Sequence, residues 1–496
     1  MSEFDLDNPL IEISTNASTG YWTIRNAVEG VQIFGGIGSG KTSGSGRMLA
    51  LKFLNAGFGG LVLTVKPDEK EVWEEYCKIT NREKDLLVIE PNGQYHFNFL
   101  QYEAEQSRNA ITENVVEVLK TVIKASEERN GKSNDGFWET ALDMLLFNTI
   151  DLCLLAYGNI SIKVLYDIVQ SIPKTKEEDD SIATNAYNTA FKKALNIVNE
   201  KVDNWYIKLS QEERDRIDEE GSLEFEVENQ FPEVRVYNSV RQFFKDNYID
   251  MPDKTRSIID FTFSGFLFRL LREPVYSLFC RHESNISPED CLNGKIILIN
   301  LPVKIYNKVG RDCQILFKYI WQRTMEKRSI KENNRPLFLW ADEAQNFLHE
   351  HDADYQATAR SSRISTVYIS QNLPNYHACM SGEKAEYRVK SFLGTLGTKI
   401  FHANADLETN RYASELIGDI YVVDETSNVT ITQEFTQSRG KSIKLERAVR
   451  PEDFSKLRTG GKKNNAQVDG YFHQQGDSIF KGKNHIKMSF DQNYKP

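Results

Sequence analysis

Short runs of mostly apolar residues, many of them β-branched or aromatic, recur in two parts of the chain and predict buried parallel strands. Several of these runs end in polar or glycine residues, as buried parallel strands do. The runs lie at Val31–Phe34, Leu61–Val65, Leu86–Ile89, Ile296–Leu301, Leu337–Trp340, Thr366–Ser370 and Lys399–His402. Because helical patterns fall between several of them, the sequence predicts an α/β sheet.

The interval between about Tyr102 and Asp290 has a different pattern. Strand-like runs are almost absent there, whereas helical periodicity is clear at Ile111–Lys124, Phe137–Tyr157 and Phe261–Cys280. A change of period marks a change of architecture, so we expect a mostly helical insertion inside the α/β core. The predicted segments are residues 1–101 and 291–475 for the two parts of the core, 102–290 for the insertion and 476–496 for a C-terminal tail.

The composition fits a globular chain with more than one domain. The 496 residues are 40% hydrophobic and 27% charged, which leaves enough apolar surface for a core. The six cysteines have no Cys-x-x-Cys spacing, which argues against a zinc site or disulfides. No secretory signal is evident, and the most apolar stretch, Leu145–Tyr157, is interrupted by Asn148 and Asp151. We therefore expect a cytoplasmic protein without a transmembrane segment of its own.

The net charge of −10 would repel a phosphate backbone, so a nucleic-acid contact requires a local basic surface. The strongest basic stretch is Arg439–Lys463, and two interpretations of it remain open: a phosphate-tracking surface or a solvated loop. Its cations are Arg439, Lys441, Lys444, Arg447, Arg450, Lys456, Arg458, Lys462 and Lys463. The acidic run Glu212–Glu233 predicts a solvated face. With no base-reading motif present, any DNA binding is expected to be nonspecific and salt-dependent.

A glycine-rich loop follows the first predicted strand and precedes the helical pattern of Arg47–Asn55. It fits the Walker A pattern G-x-x-x-x-G-K-T, and strand, loop and helix are the context that this motif requires. The candidate nucleotide-binding residues are Gly35, Gly36, Ile37, Gly38, Ser39, Gly40, Lys41 and Thr42. Loop N–H groups would hold the phosphates of ATP, Lys41 would reach the β- and γ-phosphates, and the Thr42 hydroxyl would bind Mg²⁺.

Two carboxylates end a second predicted strand, in the sequence PLFLWADEAQNF. In α/β sheets, ligands bind at the C-terminal ends of the strands. Asp342 is therefore the candidate Mg²⁺ ligand, through the water shell of the ion, and Glu343 is the candidate base that polarises the attacking water. This is a Walker B pattern, and it predicts an ATPase.

A third strand ends at Gln371, whose amide suits γ-phosphate sensing or water positioning. Arg360 precedes this strand and is the candidate arginine finger, with Arg363 as its competitor. A surface salt bridge is the ordinary alternative for either arginine.

These three motifs, in this order and with a helical insertion, resemble the TraG/TraD-like conjugative coupling proteins of the FtsK/HerA group of DNA-pumping ATPases. Weaker local matches lie at Gly136–Leu145, Ile299–Arg311 and Leu396–Gly418. The resemblance implies a RecA-like P-loop fold, ATP bound between the subunits of a homohexameric ring, Arg360 acting in trans, and movement of DNA in type IV secretion.

Two features depart from the family pattern. Coupling proteins usually carry N-terminal transmembrane helices, whereas here the P-loop comes soon after residue 1 with nothing apolar before it. A secretion partner that recruits the chain to the inner membrane face is therefore expected. The second strand leads into Leu63–Glu69, LTVKPDE, which reorders the family's Asp-Pro-Lys-Gly-Glu, and we assign it no chemistry.

Three hypotheses follow for the function. The first is a DNA translocase in conjugative transfer. The second keeps the motor but places it in HerA-like DNA processing or anti-phage defence with a nuclease partner. The third is an ATP-switched adaptor that docks proteins through the acidic run Glu212–Glu233.

Overall fold

Two compact units make up the chain in the computed structural model. The model describes residues 4–15, 18–106, 111–128, 136–175, 178, 184–380, 385–431, 435–476, 480 and 482–496. The first unit comprises Met1–Val88, Pro288–Ile305 and Trp321–Pro496, and the second comprises Ile89–Ser287 and Tyr306–Ile320. The helical unit therefore begins before the predicted residue 102 and also takes in part of the later chain.

Among the described residues, the first unit contains a sheet of nine strands and two separate hairpins. In chain order the strands are β1 Pro9–Thr15, β2 Ser18–Thr23, β3 Val31–Phe34, β4 Gly59–Leu63, β5 Leu86–Ile89, β6 Ile296–Ile299, β7 Leu337–Asp342, β8 Ile364–Ser370, β9 Thr398–Phe401, β10 Asp419–Ile431, β11 Phe435–Arg447, β12 Gln467–Gln474 and β13 His485–Asp491. The order in the large sheet is β13-β12-β9-β3-β8-β7-β4-β6-β5. β1 pairs with β2, and β10 pairs with β11.

The centre of this sheet is parallel. β3 pairs in parallel with β8 and β9, and β7 pairs in parallel with β8 and β4. β12 is antiparallel to both β9 and β13. The C-terminal ends of β3, β8 and β7 therefore meet at one edge, with β8 between the other two. The predicted α/β class with a mainly parallel sheet is confirmed.

The buried parallel strands are the elements that the apolar pattern locates best. β3 and β5 have the predicted bounds, and every residue of β3, β6 and β7 is buried. The pattern does not predict β1, β2 or β10–β13. The predicted tail contains β13, which pairs along its whole length with β12. The pattern missed β13 because in it Phe490 is buried while both neighbours are exposed. Such half-buried alternation is a weaker signal than an apolar run.

The helices flank the sheet in the first unit and dominate the second. In chain order they are α1 Ile24–Ala27, α2 Arg47–Asn55, α3 Glu69–Ile79, α4 Phe99–Gln106, α5 Ile111–Glu128, α6 Gly136–Tyr157, α7 Ile162–Gln170, α8 Ala186–Lys208, α9 Gln211–Glu220, α10 Leu223–Gln230, α11 Pro232–Gln242, α12 Asp253–Leu270, α13 Val303–Glu326, α14 Asp352–Ala359, α15 Leu373–Cys379, α16 Ala385–Gly394, α17 Leu407–Ile417 and α18 Pro451–Phe454.

One helix of the second unit differs from its predicted span. The helix expected at Phe261–Cys280 ends instead at Leu270, and a separate π-helical turn covers Ser277–Arg281. Pro274 lies between them and has no N–H with which to continue an α-helix. α6 agrees with the predicted helix Phe137–Tyr157 and is longer by one residue, Gly136. In the described chain, Phe137–Tyr157 is the one segment long and apolar enough to cross a membrane, and 56% of its most apolar part is buried.

Candidate nucleotide site

The glycine loop is shaped by positions that only glycine fits well. It connects β3 to a π-helical turn, Thr42–Gly46, that runs directly into α2. Gly38 and Gly40 have φ values of +70° and +82°, which L side chains rarely adopt. A Cβ on Gly40 would also lie 2.5 Å from Cγ2 of Val468. The loop therefore has the backbone form that brings N–H groups together for an anion.

A buried histidine supports this loop from the neighbouring strand end. The Nε2 atom of His402 lies 2.7 Å from the Ser45 hydroxyl, and its Nδ1 lies 2.9 Å from the carbonyl oxygen of Asp469. Since a carbonyl can only accept, Nδ1 carries the proton and Nε2 accepts from Ser45. Burial lowers the pKa of His402 to about 4, so the ring is neutral at pH 7.

The predicted acidic pair lies at the end of β7 beside this loop. The Thr42 hydroxyl donates to Oδ2 of Asp342 over 3.0 Å. Glu343 follows in the left-handed region with φ +51°, and its N–H donates to Oδ1 of Asp342 over 2.9 Å. A non-glycine residue held in this region is strained, and such strain clusters at functional sites.

The Glu343 carboxylate is surrounded by the other predicted groups. Nζ of Lys41 lies 3.7 Å from Oε1, to which the Gln371 amide also donates over 3.2 Å. Gln345, which the sequence analysis did not identify, donates to Oε2 over 2.8 Å. The structure thus brings Lys41, Glu343 and Gln371 into direct contact at one edge of the sheet.

Lys66 is a site residue that the sequence analysis missed. It follows β4, which lies next to β7, and its Nζ lies 2.9 Å from Oδ2 of Asp342. Burial lowers the pKa of Lys66, but the attraction and hydrogen bond of Asp342 and the nearby Glu69 outweigh this, so the pKa is raised. The segment LTVKPDE contained Lys66, but its position next to Asp342 could be found only once β4 and β7 were known to be neighbours in the sheet.

Glu69 adds a second carboxylate to this group. Its Oε2 accepts from the N–H groups of Val65 and Lys66, over 2.6 and 3.2 Å. Burial raises the pKa of Glu69 above its ordinary value, and the charge of Asp342 acts in the same direction. Lys66 therefore lies between two carboxylates, 3.9 Å from Glu69 and 2.9 Å from Asp342.

The two candidate arginines have different surroundings. Arg363 is tied to the backbone, since its Nη1 donates to the carbonyl oxygens of Phe4 and Asn334 over 2.7 and 3.1 Å. The Arg360 side chain is 60% exposed, and its Nη2 lies 3.5 Å from Glu29. Arg360 precedes β8 and Gln371 follows it, so the strand of 7 residues separates them by about 23 Å. Arg360 therefore lies at the opposite edge of the sheet from the P-loop of its own chain.

The predicted basic stretch is largely neutralised by neighbouring carboxylates. Lys444 pairs with Asp424, Arg447 with Asp419, Arg450 with Glu446, Lys456 with Asp453 and Arg458 with Asp469. The side chain of Arg439 lies outside the described residues. Residues 439–447 of the stretch lie on β11, and the rest lie in α18 and in the segments that join α18 to β11 and β12.

A cavity of about 470 Å³ opens beside the glycine loop, a size in the usual range for small-ligand sites. Gly36, Ile37 and Ser39 line one side, and Gln371, Asn404 and Thr459 line others. In the described part of the chain, the buried Ser39 hydroxyl has no hydrogen-bond partner. A buried donor in that state is suited to a ligand oxygen.

Comparison with known proteins agrees with these motifs. Residues 336–459 match the family model described as the TraM recognition site of TraD and TraG. The fold is similar to that of the bacterial conjugative coupling protein TrwBdeltaN70 in its unbound form, with 14% identity, a TM-score of 0.59, and coverage of 98% of this chain and 89% of the other. It is also similar to plasmid coupling protein TrwB in complex with ADP and Mg²⁺, with 14% identity, a TM-score of 0.59, and coverage of 96% and 88%.

The identity to these structures is low, so they establish the fold. No curated protein sequence matches the chain. The resemblance to TraG/TraD-like coupling proteins is confirmed by the family match in the second half of the core together with the fold across nearly the whole chain.

Proposed function

From its resemblance to the TraG/TraD-like coupling proteins, we propose that this chain is an ATP-hydrolysing motor that moves DNA in conjugative transfer. The observation that carries the proposal is the convergence of Lys41, Thr42, Asp342, Glu343 and Gln371 at one edge of a parallel sheet. Each of these side chains has a distinct use in phosphoryl transfer, and together they leave few other functions for the site.

Glu343 and Gln371 are the groups that would position water. The Glu343 carboxylate accepts from Gln371 and Gln345, which fix its orientation, and it can accept a proton from an attacking water molecule. Lys41 balances its charge and can turn toward the β- and γ-phosphates of ATP. The Glu343 backbone has a φ of +51°, a strained conformation that persists only because its surroundings hold it.

The donor set also fits Mg²⁺. Asp342 is buried, its Oδ2 accepts from the Thr42 hydroxyl, and the Lys66 ammonium already stands at that oxygen as a cation. Carboxylate and hydroxyl oxygens are ligands that Mg²⁺ prefers. Thr42 and Asp342 would hold the ion, which when bound neutralises charge on the phosphates. TrwB has been solved with ADP and Mg²⁺ and with a non-hydrolysable ATP analogue, which supports both assignments.

We further propose that Arg360 acts in trans in a ring, as the resemblance implies. Two observations support this: Arg360 is exposed, and it lies at the sheet edge away from its own P-loop. A contact of one edge with the opposite edge of the next copy is head-to-tail, and such contacts close into cyclic oligomers. Arg363 is unsuited to this role because backbone carbonyls hold its guanidinium.

A partner protein is part of the proposal. The family model over residues 336–459 is described as the TraM recognition site of TraD and TraG, which supports a docking surface for a TraM-like partner in this part of the core. Such a partner, or a membrane protein of the secretion apparatus, would bring a cytoplasmic motor to the inner membrane face.

The proposal is tested by phosphate release with and without DNA. Wild-type protein should hydrolyse ATP and be stimulated by DNA at low salt, and Lys41→Ala should abolish hydrolysis through lost nucleotide binding. Hydrolysis without DNA stimulation or DNA binding would reject the motor and favour the ATP-switched adaptor.

The trans role of Arg360 needs mixed rings. Arg360→Ala should bind nucleotide and not turn over, whereas Lys41→Ala should not bind it. Mixing the two variants creates interfaces with an intact Lys41 and an intact Arg360, so partial recovery of hydrolysis is expected. Absence of recovery at every ratio would reject a finger supplied by the neighbour.

A further inference from the structure

One face of α12, in the second unit, carries phenylalanine side chains toward solvent. The positions Lys254, Ile258, Phe261, Gly265, Phe268 and Arg272 recur at intervals of three and four residues, and we call them the outer face of α12. At 100° per residue they fall within an arc of about 80°, so they form one stripe that continues just past the helix end at Leu270.

This face is exposed although most of it is apolar. The Phe261 side chain is 81% exposed and Phe268 is 47% exposed. The opposite face of the same helix supplies the packing, with Ile259, Phe263 and Leu267 buried. Exposing large aromatic rings beside a well-packed face has no benefit for folding, and it is typical of binding surfaces.

Gly265 lies between the two rings and also faces open space. A Cβ there would meet nothing within 4 Å, so packing inside the chain does not require the glycine. Glycine in a helix interior costs about 1 kcal/mol relative to alanine. Its effect on the surface is a shallow gap between the exposed Phe261 ring and the half-exposed Phe268 ring, where a flat ligand can reach both.

The charge on this face has one sign. Lys254 and Arg272 lie at its two ends, and no Asp or Glu occupies any of its six positions. Arg272 lies over the Phe268 ring, with 5.5 Å between its Cζ and the ring centroid. Exposed aromatic rings flanked by cations match a ligand that has both flat rings and anionic groups.

A second group of cations lies beside it. Arg269 is adjacent to Phe268 on α12, and its Nη2 lies 3.3 Å from the buried carboxylate of Asp312 on α13. Arg311 pairs with the same carboxylate at 3.9 Å. Lys308 also lies near this carboxylate, and burial, together with the charge of Arg269, lowers the pKa of Lys308. Three cations, Arg269, Arg311 and Lys308, therefore interact with Asp312. The nearby carboxylates Asp253 and Glu127 are engaged in turn, Asp253 by Arg256 and Glu127 through its attraction to Lys308.

We infer that the outer face of α12 binds single-stranded DNA, with bases stacked on Phe261 and Phe268 and phosphates held by Lys254 and Arg272. This deepens the proposed DNA motor and rests on it for the identity of the polymer. The strandedness follows from geometry: a phenyl ring can stack on a base only when that base is unpaired and its flat face is exposed. Phe261 and Phe268 are about 10 Å apart along the helix, so one strand can contact both.

The test measures fluorescence anisotropy of a fluorescein-labelled oligo-dT strand and of a duplex of the same length, with full-length protein at low salt. Phe261→Ala/Phe268→Ala should weaken single-strand binding by about 5- to 100-fold per ring lost, and should leave duplex binding within about 2-fold. Phe225→Ala is the matched control, because Phe225 is 69% exposed on the acidic helix α10 and should have no effect.

A direct readout uses a single ring. In Phe261→Trp, the fluorescence in excess of that of wild type, which has six tryptophans, should be quenched when oligo-dT is added and unchanged when the duplex is added. Equal losses for strand and duplex in the double alanine variant, or no loss at all, would overturn the inference. So would a change of sedimentation instead of DNA affinity, because it would assign this face to contacts between copies of the chain.

Failure of this inference is separable from failure of the motor. Basal ATP hydrolysis should be unchanged in Phe261→Ala/Phe268→Ala, since neither ring belongs to the nucleotide site. If wild-type hydrolysis is stimulated by DNA and the variant still binds oligo-dT normally, the α12 site is rejected and the motor stands. If DNA does not stimulate hydrolysis by the wild-type protein, the motor is rejected even if the anisotropy shows that the protein binds oligo-dT.

Discussion

The nucleotide edge and the basic stretch Arg439–Lys463 are both rich in charge, but the charges are arranged in opposite ways. At the nucleotide edge, ionic groups far apart in sequence meet in a buried cluster; Lys66 and Asp342, for example, are 276 residues apart. In the basic stretch, most ion pairs link close sequence neighbours or the two strands of one ribbon, as Lys456 does with Asp453.

The difference lies in what fixes the positions of the charges. A parallel sheet brings the C-terminal ends of its central strands to one edge, so polar residues that follow buried strands must meet there. A charge-rich surface segment has no such constraint, and its side chains pair with the nearest opposite charge. The convergence of charged groups is therefore better predicted from strand ends than from a run of charges.

The largest effect should come from removing the carboxylate at the centre of the nucleotide edge. Glu343→Gln keeps the size and polarity of the side chain but cannot accept the proton of water, so turnover should fall by about 10²- to 10⁴-fold. Nucleotide affinity should stay within a few-fold. Phosphate release and the titration of a fluorescent ATP analogue measure these two quantities.

Glu75→Gln is the matched control for this change. Glu75 pairs with Arg47 and its side chain is about half exposed, so the same substitution there should not alter turnover. Retained hydrolysis in Glu343→Gln would show that the clustered carboxylate is structural, and the contrast between the two regions would lose its functional meaning.

A smaller effect is expected from Lys66→Met. Removing one partner of a buried pair costs about 3–5 kcal/mol, and because Lys66 is partly exposed we expect a loss of about 2 kcal/mol in the free energy of unfolding. Without the ammonium, Asp342 and Glu69 face each other unbalanced, so Mg²⁺ alone should raise the thermal midpoint more in Lys66→Met than in wild type.

Lys70→Met controls for the loss of a lysine in this segment. Lys70 pairs with Glu74 on the surface of α3, away from Asp342. An equal Mg²⁺ response in wild type, Lys66→Met and Lys70→Met would contradict the placement of a divalent-cation site at Asp342.

The sequence could predict Lys41, Thr42, Asp342, Glu343 and Gln371 because each ends or follows an apolar run. It could not place Lys66, Gln345 or His402, whose contacts depend on which strands are neighbours in the sheet. β4 is separated from β7 by most of the chain, and only the strand order brings Lys66 to Asp342. The ribbon β10–β11 was missed for another reason. In the part whose side chains the structure describes, residues 419–424 and 441–447, Tyr421, Val423, Ile443 and Leu445 are exposed on one face, and no buried run occurs there.

A pH effect of intermediate size should come from His402. The ring titrates near 6.5 when unfolded and at about 4 when folded, so its contribution to stability is complete above pH 6.5 and is lost as pH falls toward 4. Between pH 7 and pH 5 this amounts to about 2 kcal/mol. In His402→Gln, which can keep both hydrogen bonds, the fall in the free energy of unfolding over that range, measured by urea titration, should be smaller by about 2 kcal/mol. Identical pH profiles would show that His402 is not held neutral.

The smallest effect should come from the charges that are already paired. In Lys444→Gln/Arg447→Gln, both lost cations were bound to carboxylates across the β10–β11 ribbon, so DNA affinity should change by less than about 2-fold and the slope of its salt dependence should be unchanged. Lys254→Gln/Arg272→Gln on the outer face of α12 should instead reduce that slope by about two, because each unpaired cation that contacts a phosphate releases about one counterion. Anisotropy titrations over a range of salt concentrations measure both slopes. A reduction of about two in the ribbon variant would identify Arg439–Lys463 as a phosphate-tracking surface, and the paired charges would then have to open when DNA binds.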